Sequence, residues 1–315
     1  MARQFAAQAA LTLLSLLIVS AIVFWLVELL PGDTATRILG QNATPEAVAV
    51  LTEKLGLDRP ATTRYVEWLG NALTGEFGQS LVADRPVSEY IAGRALNTTI
   101  LAAFALALYV PLSLALGMIT AVTRGSVVDT GITVFILLGM CIPDFVIAIF
   151  LVTIFAIGPS CPPPLALIAR PEGTGTLPWM LYLPAGTLPA AMTAYAVRMM
   201  RESLIQILES DYVQMAWLKG LPRWRILFRH ALPNALGPAL SVTALNVAWL
   251  IGSIVLVETV FNFPGLGRLL IDAISYKDSP VVLAISLLLC VVYAACNLLA
   301  DLAIVALNPK LRASR

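Results

Sequence analysis

Long apolar segments are the feature that most restricts what this chain can fold into. An α-helix of about 20 residues is needed to cross roughly 30 Å of hydrocarbon. Six segments approach or exceed that length: Ala9 to Leu30, Thr98 to Val122, Ile132 to Ile157, Leu177 to Val197, Leu236 to Val257 and Val281 to Leu307. The pattern therefore predicts an all-α, polytopic membrane protein with six transmembrane helices.

The composition agrees with a membrane protein and argues against a soluble enzyme. Of the 315 residues, 59% are hydrophobic and 12% are charged, whereas soluble domains carry about 25% charged residues. The formal net charge of +1 gives no basic footprint for nucleic acid. His230 is the single histidine, which leaves few options for a metal site or a catalytic dyad. We expect no metal, no catalytic residue and no nucleic-acid partner.

The lysines and arginines of the short connections predict the orientation. One side carries Arg3, Arg124, Arg198, Arg201, Lys219, Arg223, Arg225, Arg229, Lys310, Arg312 and Arg315. The other side carries only Arg170, Arg268 and Lys277. Because cytoplasmic loops hold the excess of positive residues, both termini and the connection between the fourth and fifth spans are predicted to be cytoplasmic.

The predicted organisation has four parts. They are an N-terminal anchor helix over residues 1–30, an outward-facing cap over 31–96, a five-helix core over 97–307 with a cytoplasmic loop at 198–234, and a tail over 308–315. The cap has mixed charges and several turn signals, and we expect short helices in it. One of them is predicted to start with Thr44 as N-cap and Pro45 at the first helical position.

The cytoplasmic loop is predicted to contain a short amphipathic helix. Val213, Ala216, Trp217 and Gly220 recur at helical spacing and would form one stripe. Gly220 followed by Pro222 ends this helix, and a second helical run follows. The pattern fits a ridge that docks into a groove on another protein, and it also fits an interfacial helix that only braces the fifth span.

The same loop carries a motif in which Gln214, Met215, Ala216 and Gly220 are followed by His230, Leu232 and Pro233. This arrangement resembles the cytoplasmic loop motif of ABC importer permeases, in which glutamate, two alanines and glycine precede isoleucine-x-leucine-proline. Gln214, Met215 and His230 depart from that motif.

Other stretches, in the expected order, resemble the dipeptide/oligopeptide (peptide/nickel/opine) branch of these permeases. They are LLPGDTA at 29–35, LGLDRPATTRYVEWL at 55–69, LTGEFGQSL at 73–81, RALNTTILA at 94–102, RHALPNAL at 229–236, VETVFNFPGLGRLLIDAI at 257–274 and NLLADLAIVALNPKLR at 297–312.

The resemblance implies a type I permease core in a bacterial inner membrane that is not itself an enzyme. Partners would be two ATP-binding subunits, a second homologous permease and a periplasmic solute-binding protein. ATP would bind to the partners, and this chain has no GxxxxGK[ST] phosphate loop. The coupling helix would carry nucleotide-driven movement into the spans through docking contacts at Asp211, Tyr212, Gln214, Met215, Ala216 and Gly220. The substrate would be a peptide or a related small polar solute such as a nickel complex, an opine or glutathione.

Asp144 is an ionisable residue inside an apolar segment, directly after Pro143. Because such a residue costs a few kcal/mol in hydrocarbon, it is a candidate for function. It would line the translocation path and meet a peptide amino group, or it would cap a helix at the Pro143 break. An alternative function is an ion-coupled secondary transporter with Asp144, Glu28 and Asp301 as its relay.

The outer turn Asn262 to Arg268 has the sequence NFPGLGR. We expect positive φ at Gly265 and Gly267 after Pro264. Asn262, Pro264, Gly265 and Gly267 are candidate contacts for a binding protein, although a turn that returns the chain to the membrane would also explain them.

Overall fold

The computed structural model describes residues 2–29, 34–40, 43–54, 56–157 and 177–307, and it confirms the all-α prediction. Within these ranges the chain forms helices joined by turns, without a β-strand. The first half contains α1 (Ala2–Leu29), α2 (Thr34–Leu39), α3 (Pro45–Lys54), α4 (Ala61–Leu73), α5 (Val87–Val122), α6 (Val127–Cys141) and α7 (Asp144–Ile157). The second half contains α8 (Leu177–Thr187), α9 (Pro189–Leu208), α10 (Asp211–Leu218), α11 (Arg223–Arg225), a π-helical turn (Ile226–Ala231), α12 (Leu232–Val260), α13 (Leu266–Tyr276) and α14 (Ser279–Leu307). The predicted tail and Arg170 lie outside the described residues.

Three helices of the described ranges are long and apolar enough to cross a membrane: Val87–Val122, Arg223–Val260 and Ser279–Leu299. The bent pair of α6 and α7 adds a fourth if it counts as one span. Leu13–Leu29, within α1, is a shorter apolar helix. A helical membrane protein is thus confirmed, while the number of six spans stays a prediction.

The third apolar segment is not one straight helix. α6 and α7 are bent by 101° at the break between them, so the apolar segment from Ile132 to Ile157 is divided at the break that Pro143 indicated in the sequence. Pro143 lacks the N–H that would continue the α6 hydrogen-bond ladder. A residue before proline is also pushed out of the helical region, and Ile142 has φ −96° and ψ 123°. The fourth predicted segment is likewise divided, into α8 and α9, next to Pro189.

One compact unit contains Met1–Thr98 and Pro264–Ala294. The predicted start of α3 is confirmed, because the backbone N–H of Ala47 donates to the Thr44 hydroxyl over 3.3 Å. The core of this unit joins α1, the first turns of α5, α13 and α14 through Val27, Val87, Ile91, Leu266, Leu269, Ala273, Val281, Val282, Ala284 and Ile285. The predicted boundary between residues 96 and 97 falls inside α5, which begins at Val87.

The sequence-based interpretation of the outer turn is wrong in two respects. Gly265 has φ −110° and is the N-cap of α13, and Gly267 is in the first turn of α13. The left-handed conformation belongs instead to Asn262, with φ 52°, and asparagine tolerates that region better than most residues. The turn therefore ends in an additional amphipathic helix that the sequence analysis did not predict.

A second compact unit contains Thr99–Phe263 and Ala295–Arg315. In it, α9 packs against both α6 and α12. α5 also approaches α9 closely, because a Cβ built on Gly117 would lie 2.6 Å from the Met200 Cβ and 3.1 Å from the Val197 carbonyl oxygen. α9 is thus the central helix of this unit and leads directly into the loop that is predicted to be cytoplasmic.

Candidate functional site

The connection between α9 and α12, predicted to be cytoplasmic, is built from short helices whose limits are set by local sequence. α9 ends at Leu208, and Ser210 precedes α10 in an extended conformation with ψ 149°. Gly220 has φ +73°, a left-handed conformation that glycine adopts without steric cost. Its backbone N–H donates to the Trp217 carbonyl over 2.9 Å. The predicted pair of short helices is confirmed, with α11 beginning directly after Pro222.

The inner face of α10 is closed against its neighbours. Val213 and Ala216 are buried, and they pack with the buried Ile226 that follows α11. Around them lie the partly buried side chains of Ile207, Leu208 and Leu221. This cluster fixes α10 to the end of α9 and to the π-helical turn.

The outer face of α10 presents large apolar side chains to the surroundings. Met215 is 55% exposed and Leu218 is 81% exposed. Trp224 and Phe228, which follow α10 in the chain, are exposed as well. Exposed apolar patches of this kind mark interaction sites for protein or membrane.

The six residues predicted as docking contacts do not all lie on this face. The exposed ones are Asp211, Tyr212, Gln214, Met215 and Gly220. Ala216 is only 7% exposed, because its side chain belongs to the inner cluster. Its contribution within this chain is to let α10 approach Ile226, and it presents almost no surface to a partner.

Tyr212 joins the two ends of the connection. Its hydroxyl donates to the main-chain carbonyl of His230 over 2.5 Å. The Asn234 side-chain amide donates to the same carbonyl over 2.7 Å. The rings of Tyr212 and His230 also meet edge to face, with centroids 6.0 Å apart. Asn234 was not among the residues predicted for this site, although it lies in the stretch RHALPNAL that resembles the family.

Two ion pairs hold the neighbouring helix ends. The Arg201 guanidinium donates to both carboxylate oxygens of Asp129, over 2.9 and 2.7 Å, and so ties α9 to the first turn of α6. Asp129 is also an acceptor for the backbone N–H of Gly125. Arg124 pairs with Glu209, just before α10. These ion pairs hold the end of α9 in place, and α10 begins directly after it.

Asp144 lies at the beginning of α7, at the break after Pro143. One carboxylate oxygen accepts a hydrogen bond from the Ser253 hydroxyl over 2.6 Å. The other oxygen is buried and has no hydrogen-bond partner among the described residues. A buried carboxylate oxygen without a donor is costly, so this oxygen is available to accept a further hydrogen bond.

The other predicted residues are placed as follows. Glu28 pairs with Arg64 of the cap over 2.5 Å, and the side chain of Asp301 lies outside the described residues. Of the turn residues, Asn262 and Pro264 are partly exposed, whereas Gly265 and Gly267 are buried. Among the described residues no group of His, Cys, Asp and Glu has the geometry of a metal site.

Known proteins resemble this chain over nearly its whole length. Residues 113–313 match the family described as binding-protein-dependent transport system inner membrane component, and residues 1–102 match its N-terminal family. A probable peptide ABC transporter permease protein of Sinorhizobium fredii is 36% identical over 303 residues, or 96% of each chain. A putative peptide transport system permease protein of Brucella abortus is 36% identical over 299 residues, covering 94% of this chain and 95% of the relative. The glutathione transport system permease protein GsiC of Shigella flexneri is 34% identical over 299 residues, covering 95% of each chain. Together with the apolar helices, these matches establish that the chain belongs to the binding-protein-dependent transport system inner membrane components, in the peptide-type branch of the ABC importer permeases.

Proposed function

We propose that this permease moves peptides or a related small polar solute across the bacterial inner membrane, driven by ATP hydrolysis in partner subunits. The observation that carries the proposal is α10, a short helix closed on its inner face and apolar on its exposed face, within a permease of this family. A helix held in this way can be moved as a rigid piece by the protein that covers it.

The proposed assembly has two ATP-binding subunits, a second homologous permease and a periplasmic solute-binding protein. ATP binds to the partner subunits, and this chain contributes motion and catalyses nothing. Both termini and α10 face the cytoplasm, because the short connections on that side carry most of the arginines. The docking contacts are Asp211, Gln214, Met215 and Gly220, with Ala216 supporting them from below. Tyr212, the remaining residue of the predicted set, has its hydroxyl bound to the His230 carbonyl within this chain.

The substrate class comes from the relatives, whose names specify peptide and glutathione transport. Both are small, polar and carry an amino terminus. Asp144 lies on the translocation path and receives that amino group, since one of its carboxylate oxygens has no donor among the described residues. Asn262 and Pro264 are the partly exposed members of the turn that contacts the binding protein.

The ion-coupled alternative has no finding in its favour. Glu28, one of its three proposed relay acids, is paired with Arg64. Membership of a binding-protein-dependent transport family favours ATP as the energy source.

The test is purification of the tagged chain in mild detergent, followed by mass spectrometry of the proteins that come with it. We expect a P-loop ATPase and a second permease. The recovered complex is then placed in liposomes with its binding protein, and uptake of radiolabelled glutathione and alanyl tripeptide is measured with and without ATP. Uptake that ignores ATP and stops with an ionophore would contradict the proposal.

Two matched variants locate the docking surface. Leu218→Glu places a charge on the exposed face of α10, where the residue is 81% exposed, and should reduce recovery of the ATPase at least tenfold. Leu73→Glu makes the same change at an 83% exposed position of the cap and should leave recovery unchanged. Equal recovery with both variants would remove α10 from the docking surface.

A further inference from the structure

The connection between α10 and α12 contains an irregular turn. Residues Ile226–Ala231 are π-helical, and the Leu232 N–H donates to the Leu227 carbonyl, five residues back. Pro233 follows and has no N–H to give to the carbonyl four residues before it. Single π-helical turns are frequent at functional sites because they change the register of the helix ladder. The start of α12 is therefore a point where the main chain has an alternative hydrogen-bond arrangement.

The His230 carbonyl in this turn is held from two directions. Asn234, in the first turn of α12, donates to it over 2.7 Å, and the Tyr212 hydroxyl donates to it over 2.5 Å from α10. The Asn234 amide also lies 3.5 Å from the Tyr212 oxygen. The His230 carbonyl thus links α10 to α12, through one donor 18 residues before it and another four residues after it.

On its inner side, α10 packs against its neighbours through apolar side chains. Val213 and Ala216 pack with Ile226, the first residue of the irregular turn. Dispersion contacts between such side chains are individually weak and tolerate small sliding movements. The Tyr212 hydrogen bond is directional, and it reaches the other end of the turn, at His230, two residues before α12 begins.

We propose that Tyr212 is a positioning residue that passes the displacement of α10 to the first turn of α12 through the His230 carbonyl, with Asn234 holding that carbonyl on the α12 side. This inference rests on the proposed function, in which an ATPase moves α10. It gives the Tyr212 hydroxyl a role inside the permease, whereas the sequence resemblance gave the residue only a role in contact with the partner.

The experiment compares hydrogen–deuterium exchange of the purified importer complex without nucleotide and after trapping with ATP and vanadate. In the wild type we expect a nucleotide-dependent change both in residues 211–218 of α10 and in residues 232–240 of α12. In Tyr212→Phe the change in α10 and the rate of ATP hydrolysis should be retained, while the change in α12 should fall at least threefold. Asn234→Ala should act in the same way. Because both variants act on one carbonyl, the double variant should add little to either one.

Tyr276→Phe is the matched control, since Tyr276 is half-exposed like Tyr212 and makes no hydrogen bond to another described residue through its hydroxyl. It should behave as the wild type. A full α12 response in Tyr212→Phe would overturn the proposal. Loss of the α10 response in that variant would also overturn it, because Tyr212 would then be a contact for the ATPase. If α10 does not respond to nucleotide in the wild type, the docking assignment fails first and the inference fails with it.

Discussion

Gly220 provides a quantitative test of how α10 is terminated. Its φ of +73° lies in the left-handed region, where a residue with a Cβ pays about 1–2 kcal/mol. A Cβ built on Gly220 would meet no atom within 4 Å, so steric overlap adds nothing to this cost. In Gly220→Ala the end of α10 should therefore open about 5–30 times more often. Gly220→Asn should open less, because asparagine is enriched in this region.

The measurement is hydrogen–deuterium exchange of the α10 amides in the purified complex, which reports local opening. Gly70→Ala is the matched control, because Gly70 lies inside α4 without positive φ and an added Cβ would also meet nothing within 4 Å. It should not increase opening of α4. If Gly220→Ala exchanges at the wild-type rate, or if the alanine and asparagine variants are equal, backbone conformation is not what this glycine provides.

Two further predictions concern the membrane part. Gly117→Ala should lower the free energy of unfolding by about 1–3 kcal/mol, because the new Cβ would lie 2.6 Å from the Met200 Cβ. Thermal unfolding in detergent measures this loss. Gly252→Ala is the control and should not be destabilising, because its added Cβ would meet no atom within 4 Å. A Gly117 variant as stable as the wild type would refute the close approach. Asp144→Asn should reduce uptake of an alanyl tripeptide at least tenfold, since a hydrogen bond to a charged group contributes about 1.5–3 kcal/mol, while uptake of the N-acetylated peptide should be affected far less. Equal losses for the two peptides would instead assign Asp144, with its Ser253 hydrogen bond, to packing.

The helical class and the ends of several elements could be predicted from sequence because they depend on local chemistry. Thr44 and Pro45 mark the start of α3, and Gly220 with Pro222 marks the end of α10. The bend after Cys141 was only partly accessible. Pro143 indicates a break in the helix. The angle of 101° depends on the packing of α7 against α8 and α12, and these tertiary contacts cannot be deduced from one sequence.

Conformation at the outer turn was misassigned for a related reason. Glycine is the usual left-handed residue, so Gly265 and Gly267 were the natural candidates in NFPGLGR. The structure gives that conformation to Asn262 and uses Gly265 as a helix N-cap. The sequence does contain a signal for α13, because apolar residues recur there at helical spacing, at Leu266, Leu269, Leu270 and Ala273.

The connection between α9 and α12 matches the family motif at some positions and departs from it at others, and the placement of these residues explains the difference. Ala216, Gly220 and Pro233 keep the family pattern, and each answers a constraint within the chain. Ala216 fits a buried contact, Gly220 adopts positive φ, and Pro233 lacks the N–H that an ordinary helix would need at the irregular turn.

The residues that depart from the family motif lie where the fold of this chain restricts the side chain less. Gln214 and Met215 are exposed, and His230 enters the polar contact with Tyr212 and Asn234 through its main-chain carbonyl, which any residue supplies. The positions that depart from the motif can therefore be adapted to the surface of the ATPase. The positions that match it are those that shape α10 and attach it to α12. On this reasoning, exchanging Gln214 and Met215 for the glutamate and alanine of the family motif should alter affinity for the ATPase and leave the α10 fold unchanged.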